Sequence, residues 1–208
     1  MVRAAVITAD IVNSTRLSKT EYKKLLNNIE TILQGHPHEF FRGDSFQVFI
    51  KSPDDALKIL LQIRTAAMKL SEASMPVTDI RASIGIGNIK LPVKSFQTAA
   101  GDVFILSGRA FDKMTKDERL CIVCDEKNKA VNSGLKLVSQ FIDYLFQRLT
   151  FKQPAVVYDL LMNRTQVDAA KRLKKSQATV HKHAQSAGWP ETEKLVADYK
   201  NLIALIEP

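Results

Sequence analysis

Two carboxylates occupy positions that a simple strand pairing would bring together. Asp10 follows the apolar run 2–9, and Asp44 lies in a Gly-Asp turn between the short runs 38–42 and 45–51. An uninterrupted apolar run of this length predicts a buried strand, and Gly-Asp is typical of a hairpin turn. If the first strand pairs beside the hairpin, both carboxylates meet at one edge of the sheet. The alternative is two solvated turn aspartates.

The chemistry that such a pair performs is metal binding. Mg²⁺, or Mn²⁺ in its place, takes few protein ligands and keeps positions open for phosphate oxygens and water. The backbone carbonyl of Ile11 is a candidate third ligand beside Asp10 and Asp44. A metal held in this way polarises a phosphoryl group and activates a hydroxyl. The pattern therefore indicates a site for phosphorylated ligands.

The elements that would position this pair alternate along the first 125 residues. Ser18-Lys-Thr-Glu21 is a capping box that predicts a helix, and Pro53 begins a second helix. Strands are predicted over 79–89 and 119–124, with a third helix over 102–114 between them. This order predicts an α+β protein with a ferredoxin-like βαββαβ sheet, antiparallel at its centre and covered by helices on one face.

Four segments in this region carry a resemblance to a known family. They read Ala-Asp-Ile-Val-Asn-Ser-Thr (9–15), Phe-Arg-Gly-Asp-Ser-Phe-Gln (41–47), Arg-Ala-Ser-Ile-Gly-Ile-Gly (81–87) and Gly-Asp-Val-Phe-Ile-Leu-Ser-Gly-Arg (101–109). In this order they resemble the catalytic domain of class III nucleotide cyclases, a relative of polymerase palm domains. The hairpin and the last segment also resemble the SatD-like family of small bacterial proteins.

The resemblance implies roles for individual residues. Asp10 and Asp44 match the metal-binding aspartates of the cyclases, and Arg109 matches their transition-state arginine. Gly101 matches the glycine that opens the arginine's helix, and Thr98 lies near the base-recognising position. The resemblance thus implies a nucleotide ligand with Mg²⁺ or Mn²⁺. For Arg109 the alternative is a cation on a helix surface.

Two departures from the cyclase pattern bear on activity. The base-reading lysine is replaced by Phe40, and the transition-state asparagine by Ile105. Both losses argue against an efficient purine-nucleotide cyclase. Binding of a metal–triphosphate, use of a different nucleotide and a non-cyclising phosphoryl transfer all stay open.

The amino-acid composition limits the classes of protein to which the chain can belong. The chain has 208 residues, 45% of them apolar and 25% charged, which is ordinary for a folded protein and excludes disorder, collagen and disulfide scaffolds. No apolar run approaches the roughly 20 residues of a membrane span. The N-terminus is charged too early for a signal peptide, so we expect a cytoplasmic protein without membrane contact. Cys121 and Cys124 lie in a strand pattern and are expected to be packed thiols.

Positive charge is concentrated near the C-terminus. The whole chain carries a net charge of +8. Segment 163–184 has six lysines and arginines and one acid, Asp168, which gives +5. Within it, Thr165 with Asp168 and then Ser176 predict two capped helices joined by a three-residue turn. This resembles a bacterial helix-turn-helix, and its charge suggests double-stranded DNA as partner.

The second of these helices would enter the major groove, where Gln177 reads adenine edges and Lys182 holds phosphate. Arg172, Lys174 and Lys175 would contact the DNA backbone. The remaining candidate DNA-binding residues are Ser176, Thr179 and His181. The alternative is a helical hairpin that packs on the first domain or makes a dimer.

The predicted organisation is a cyclase-like palm domain over 1–125, a linking helix over 126–150 and an all-α helix-turn-helix domain over 151–208. It suggests a regulator in which a degenerate cyclase-like domain binds a nucleotide or another ligand with Mg²⁺ and biases DNA binding. The alternative is a metal-dependent phosphoryl-transfer enzyme that makes or consumes a nucleotide messenger. Either is compatible with a homodimer.

Overall fold

A computed structural model describes residues 2–41, 43–71, 77–89 and 101–207 of the chain. These contain five strands and eight α-helices in a mixed α+β arrangement. The strands are β1 (Val2–Val12), β2 (His38–Phe41), β3 (Ser45–Ile50), β4 (Asp79–Ile89) and β5 (Leu120–Cys124). The helices are α1 (Lys19–Ile32), α2 (Ala56–Met68), α3 (Asp102–Lys113), α4 (Lys129–Gln147), α5 (Gln153–Leu161), α6 (Gln166–Leu173), α7 (Gln177–Ser186) and α8 (Trp189–Ala204).

The five strands form one sheet in the order β2-β3-β1-β4-β5. The central strand β1 runs antiparallel to both neighbours, β3 and β4, and β5 is parallel to β4. The first four strands with α1 and α2 reproduce the predicted βαββαβ order, and α3 with β5 extends it. The capping box that Ser18 and Glu21 predict at the start of α1 is present.

Helices cover both faces of the sheet, so the prediction of helices on one face is wrong. Ile7 and Ile11 of β1 point into the main core with α1, α2 and α4. The alternate residue Val6 instead packs with Val103 of α3 on the opposite face. The reason lies in the strand itself, because an uninterrupted apolar run has no solvated face. Gly85 also lets α3 approach closely, since a Cβ there would lie 2.6 Å from the backbone nitrogen of Ser107.

The main core extends from the sheet into the C-terminal helices. Leu161 of α5 and Tyr199 and Ile203 of α8 belong to the same buried cluster as the strand residues. The Tyr199 hydroxyl donates a 2.8 Å hydrogen bond to the carbonyl of Pro53. A smaller cluster holds α5, α6 and α7 together. The division at 125 and 150 stays a prediction.

A buried arginine ties three elements together. Arg64 of α2 is fully buried and forms ion pairs of 2.9 Å with Asp79 of β4 and 2.8 Å with Asp143 of α4. Asp143 also accepts hydrogen bonds from the backbone nitrogens of Arg119 and Leu120 at the start of β5. This network fixes α4 against the edge of the sheet.

Candidate functional site

The sheet register brings Asp10 and Asp44 to the same end of the central strands. Asp10 lies opposite Ser45 of β3 and opposite Arg81 of β4. Asp44 occupies the turn between β2 and β3, which Gly43 enters with a φ of +88°. The backbone nitrogen of Ile11 donates a 3.0 Å hydrogen bond to the carbonyl of Asp44, which ties the turn to β1.

Hydroxyl groups orient both carboxylates. Ser45 Oγ donates to Asp10 Oδ1 and Ser14 Oγ donates to Asp44 Oδ2, each at 3.3 Å. These hydrogen bonds are long and therefore weak, so the carboxylate oxygens keep most of their capacity to accept. The Tyr22 hydroxyl donates to the carbonyl of Gly43 and so supports the turn from α1.

The two carboxylates repel each other. Burial and the negative charge of Asp44 raise the pKa of Asp10, against weaker opposing effects that include the Ser45 hydrogen bond and the charge of Arg81. Burial together with the charges of Asp44 and Asp10 also raises the pKa of Tyr22. A divalent cation between the two aspartates would remove this repulsion.

The donor set suits Mg²⁺ or Mn²⁺. It consists of oxygen atoms alone, from the carboxylates of Asp10 and Asp44, and the carbonyl of Ile11 stays a predicted third ligand. Across the described ranges there is no group of three or more His, Cys, Asp or Glu that could hold a metal. A metal held by two carboxylates keeps coordination positions for phosphate oxygens and water.

Arg109 is not beside the carboxylates within one chain. It is exposed on α3 and lines a groove of about 580 Å³ with Ile105 and Cys121 on the β5 side of that helix. Asp10 lies on β1, which β4 separates from β5. The structure therefore places the predicted transition-state arginine on the far flank of α3.

Gly101 is also distant from the pair. It precedes α3 and contacts Ile89, which pairs with Val2 at the other end of β1 from Asp10. Eight residues of extended strand span about 26 Å, so the N-terminus of α3 lies at the opposite end of the sheet from Asp10. Thr98 lies outside the described residues. Phe40, at the lysine position of the cyclases, packs against Phe46 in the main core.

Four residues around the pair were not singled out from the sequence: Ser14, Tyr22, Ser45 and Arg81. The position of Ser45 could have been predicted from the sequence. It follows Asp44 directly, and the pairing of β3 with β1 places it opposite Asp10. For Tyr22 and Arg81 there is no comparable signal in the sequence, because their positions beside the carboxylates depend on how α1 and β4 pack. Arg81 donates to the carbonyls of Phe111 and Met114 at the end of α3.

The two predicted helices near the C-terminus are present and capped. Thr165 and Asp168 form a capping box at the start of α6, and Ser176 Oγ accepts a hydrogen bond from the backbone of Thr179 at the start of α7. The connection spans 174–176, and Lys174 adopts the left-handed conformation at φ 53°. The helices pack through a seam of small apolar residues with α5, namely Ala169, Ala170, Val180 and Ala184.

The structure exposes a continuous set of polar and basic residues on this pair. Gln177, His181 and Lys182 are exposed on α7, next to Lys174 and Lys175 in the connection. Four of the predicted DNA-binding residues make side-chain contacts within the chain, and one of these is His181, whose Nδ1 lies 3.2 Å from Gln166 Oε1. Arg172 Nε donates at 2.7 Å to buried Asp159, and the hydroxyls of Ser176 and Thr179 share a 2.8 Å hydrogen bond.

Neither cysteine is in a disulfide. Both cysteines line the groove beside α3, where Cys121 is half-buried, and Cys124 also belongs to the main core. Because they are three residues apart on β5, their side chains point to opposite faces of the strand. Burial raises the pKa of both thiols, which keeps them protonated at neutral pH.

No helix in the described part of the chain is long and apolar enough to cross a membrane.

Comparison with known proteins gives structural likeness alone. No protein-family model and no curated protein matches the chain. Among the solved structures that match is a bacterial light-regulated adenylyl cyclase, with 17% sequence identity and a TM-score of 0.45, over 58% of this chain and 75% of that one. Another is the catalytic core of a rhodopsin-guanylyl cyclase with converted specificity in complex with ATPαS. It is 20% identical, with a TM-score of 0.42, over 58% of this chain and 76% of that one.

Proposed function

We propose that this chain binds a nucleotide through Mg²⁺ or Mn²⁺ at Asp10 and Asp44, and that phosphoryl transfer is the chemistry of this site. The observation that carries the proposal is that Asp10 and Asp44 lie at the same end of the sheet, where burial and then the charge of Asp44 raise the pKa of Asp10. A divalent cation supplies positive charge between the two carboxylates, and the phosphate oxygens of a triphosphate fill its remaining coordination positions.

Each residue has a distinct task in this proposal. Asp10 and Asp44 hold the metal, with the carbonyl of Ile11 as a third ligand. Ser45 and Ser14 hold the carboxylates through their hydroxyl hydrogen bonds. When bound, the metal polarises a phosphoryl group and lowers the pKa of a coordinated hydroxyl or water.

Arg109 stands apart from this set because it lines the groove on the β5 side of α3. Within a single chain, Arg109 therefore has no role at the phosphates. Arg81 of β4 lies opposite Asp10 in the same chain, and its charge acts on that carboxylate. Binding of metal and nucleotide is therefore the minimal activity, and turnover is the further step to be measured.

The test is incubation of the purified chain with ATP, GTP, CTP or UTP and Mg²⁺ or Mn²⁺, followed by chromatography and mass analysis of products. Thermal unfolding with the same ligands measures binding, because a ligand of the folded state raises the melting temperature. Asp10→Asn with Asp44→Asn should abolish this rise. Asp112→Asn, an exposed acid on α3, is the matched control. An unchanged rise in the double variant refutes the site.

A second candidate function is binding of duplex DNA by α6 and α7. It is supported by the capped pair of helices with its exposed Lys174, Lys175, Gln177 and Lys182. With both activities in one chain, the nucleotide would be the signal that biases DNA binding. Arg172 would hold its position through Asp159, not through a phosphate.

Anisotropy of a labelled random duplex over a range of salt concentrations tests this second function. Each phosphate contact contributes close to one unit to the slope of log affinity against log salt. Lys174→Ala with Lys175→Ala should reduce the slope by about 2, whereas Gln177→Ala should erode discrimination among sequences by about 1–3 kcal/mol. Lys19→Ala with Lys200→Ala removes the same charge elsewhere and should change neither. Absence of binding below about 10 µM at 50 mM salt refutes the DNA function.

A further inference from the structure

A long groove runs between α4 and α8 on the outside of the molecule. The two helices are antiparallel neighbours, since Gly134 lies beside Leu202 and Gly188 beside Leu145. A Cβ at Gly134 would lie 2.8 Å from Leu202 Cδ2, so glycine lets the helices come close. The groove has a volume of about 730 Å³.

Both helices present residues to this groove with coiled-coil spacing. Positions alternate by three and four residues, which is the spacing of a seam that packs against another helix. We call the two sets the α4 stripe and the α8 stripe. The α4 stripe consists of Gly134, Leu137, Phe141 and Tyr144, which line the groove, and of exposed Arg148 beyond its end, over the Tyr144 ring. The α8 stripe consists of Leu195, Asp198, Leu202 and Leu205, which line the groove, and of exposed Glu191 one turn before Leu195.

The apolar residues of the stripes lie open to solvent. Leu137 and Leu205 are each 67% exposed, Tyr144 is 51% exposed and Phe141 is 43% exposed. Phe141 and Tyr144 stack with ring centroids 6.0 Å apart, and Arg148 lies over the Tyr144 ring. A contiguous exposed patch of this kind marks an interaction surface.

The charges on the two stripes indicate which helix can pack in the groove. The α4 stripe carries one cation, Arg148, and the α8 stripe carries two acids, Glu191 and Asp198. An α8 stripe packed on a second α8 stripe would bring like charges together. An α4 stripe packed on an α8 stripe instead brings the cation and the aromatic residues to the acids. Because the molecule carries both stripes side by side, a second copy can satisfy both at once through a twofold axis.

We propose that a second copy of this chain occupies the groove, with the α4 stripe of each copy packed on the α8 stripe of the other in an antiparallel four-helix bundle. Arg148 then lies near Glu191 of the partner subunit, because both are at the same end of the helix pair. Leu137 of α4 and Leu205, directly after α8, line the groove and are the most exposed apolar side chains of the two stripes, so each can insert between residues of the partner. The described residues that line the groove come from α4 and from α8 with Leu205, and they include neither carboxylate of the pair.

Sedimentation velocity of the full chain between 1 and 100 µM measures this association. We expect a concentration-dependent species of twice the 23.3 kDa monomer mass. Leu137→Glu with Phe141→Glu should convert it to a folded monomer with an unchanged far-UV circular dichroism spectrum, because both side chains are exposed. Its melting temperature should no longer depend on protein concentration. Val167→Glu on α6, where the valine is 43% exposed, is the matched control and should leave the dimer intact.

A charge exchange tests the pairing of α4 with α8. Arg148→Glu and Glu191→Arg should each weaken the dimer at least tenfold, and the combined variant should recover most of the affinity. A monomer at all concentrations refutes the proposal and leaves the groove to a different helix. A dimer that survives Leu137→Glu with Phe141→Glu also refutes it, because its interface then lies elsewhere. Neither result affects the nucleotide proposal, which is measured on metal and nucleotide binding.

Discussion

Ser45 lies opposite Asp10 in the ladder between β3 and β1, and its hydroxyl donates a 3.3 Å hydrogen bond to Asp10 Oδ1. The residue next to one aspartate of the pair therefore orients the other. This follows from the register between β1 and β3, because Ser45 is the first residue of β3 after the turn that carries Asp44. The site is thus built by strand pairing, with Ser14 and Tyr22 added from the segments that follow β1.

Replacing Asp10 by asparagine should stabilise the metal-free protein at neutral pH. The pKa of Asp10 is raised in the folded state, so its contribution to stability is fully present below its ordinary value of 3.8 and is lost as pH rises through the raised pKa. Urea unfolding with EDTA should give Asp10→Asn the higher free energy of unfolding at pH 7, with the gap closing towards pH 4. With Mg²⁺ the order should reverse. A gap independent of pH would contradict this account.

Adding a methyl group at Gly85 should destabilise the protein by displacing α3. A Cβ there would lie 2.6 Å from the Ser107 nitrogen and 2.7 Å from the Val103 carbonyl oxygen, both backbone atoms that cannot move alone. We expect Gly85→Ala to cost about 1–3 kcal/mol in denaturant unfolding. Gly108→Ala is the control, because nothing lies near its Cβ and alanine favours a helix by about 0.5–1 kcal/mol. Equal effects of the two variants would place α3 elsewhere.

The local features of the fold were predictable from the sequence. Strand β4 has the predicted bounds, Asp79–Ile89, and the capping boxes at Ser18 and Thr165 are present. Such features depend on residues three or four positions apart, so a short window contains the whole signal. The meeting of Asp10 and Asp44 was predictable in part, because it needs only the strand and the hairpin to be neighbours.

Features that depend on packing between distant segments were not predictable. Helix α3 lies on the opposite face of the sheet from α1 and α2, and the sequence of Val6 and Ile7 does not say which helix covers which face. The positions of Arg109 and Gly101 follow from that packing. Within one chain, Asp10 and Asp44 lie at one end of the sheet and Arg109 and Gly101 lie elsewhere, which the order of the motifs along the sequence does not reveal.

Replacing Arg64 by methionine should strongly destabilise the fold. The guanidinium is fully buried and neutralises both Asp79 and Asp143, so its removal leaves two carboxylates without a cation. Breaking a buried ion pair from one side costs about 3–5 kcal/mol. Denaturant unfolding measures this, with Arg16→Met, an exposed arginine, as control. A loss below about 1 kcal/mol would show that the network does not hold α4 to the sheet.

Lys69 should make stability depend on pH in the alkaline range. Burial, with the nearby charge of Arg172, lowers the pKa of Lys69 to about 8, and its ammonium lies 3.6 Å from the centre of the Tyr158 ring. The folded state then binds fewer protons than the unfolded state between about pH 8 and the ordinary value of 10.5. The free energy of unfolding should rise across this range relative to Lys69→Met. Parallel pH profiles would contradict the lowered pKa.

Replacing Lys174 by glycine should stabilise the protein while weakening any binding to DNA. Lys174 has φ 53° and ψ 47°, a left-handed conformation that costs a residue with a side chain about 1–2 kcal/mol and costs glycine little. We expect Lys174→Gly to raise the free energy of unfolding by about 1 kcal/mol, because the turn between α6 and α7 no longer carries that strain. Lys175→Gly, next to it in the connection, has no positive φ to relieve and should not stabilise.

Both variants remove one cation, so each should reduce the slope of log DNA affinity against log salt by about 1. Loss of stability in Lys174→Gly would show that the turn differs from the one described, and an unchanged slope would remove Lys174 from the DNA interface.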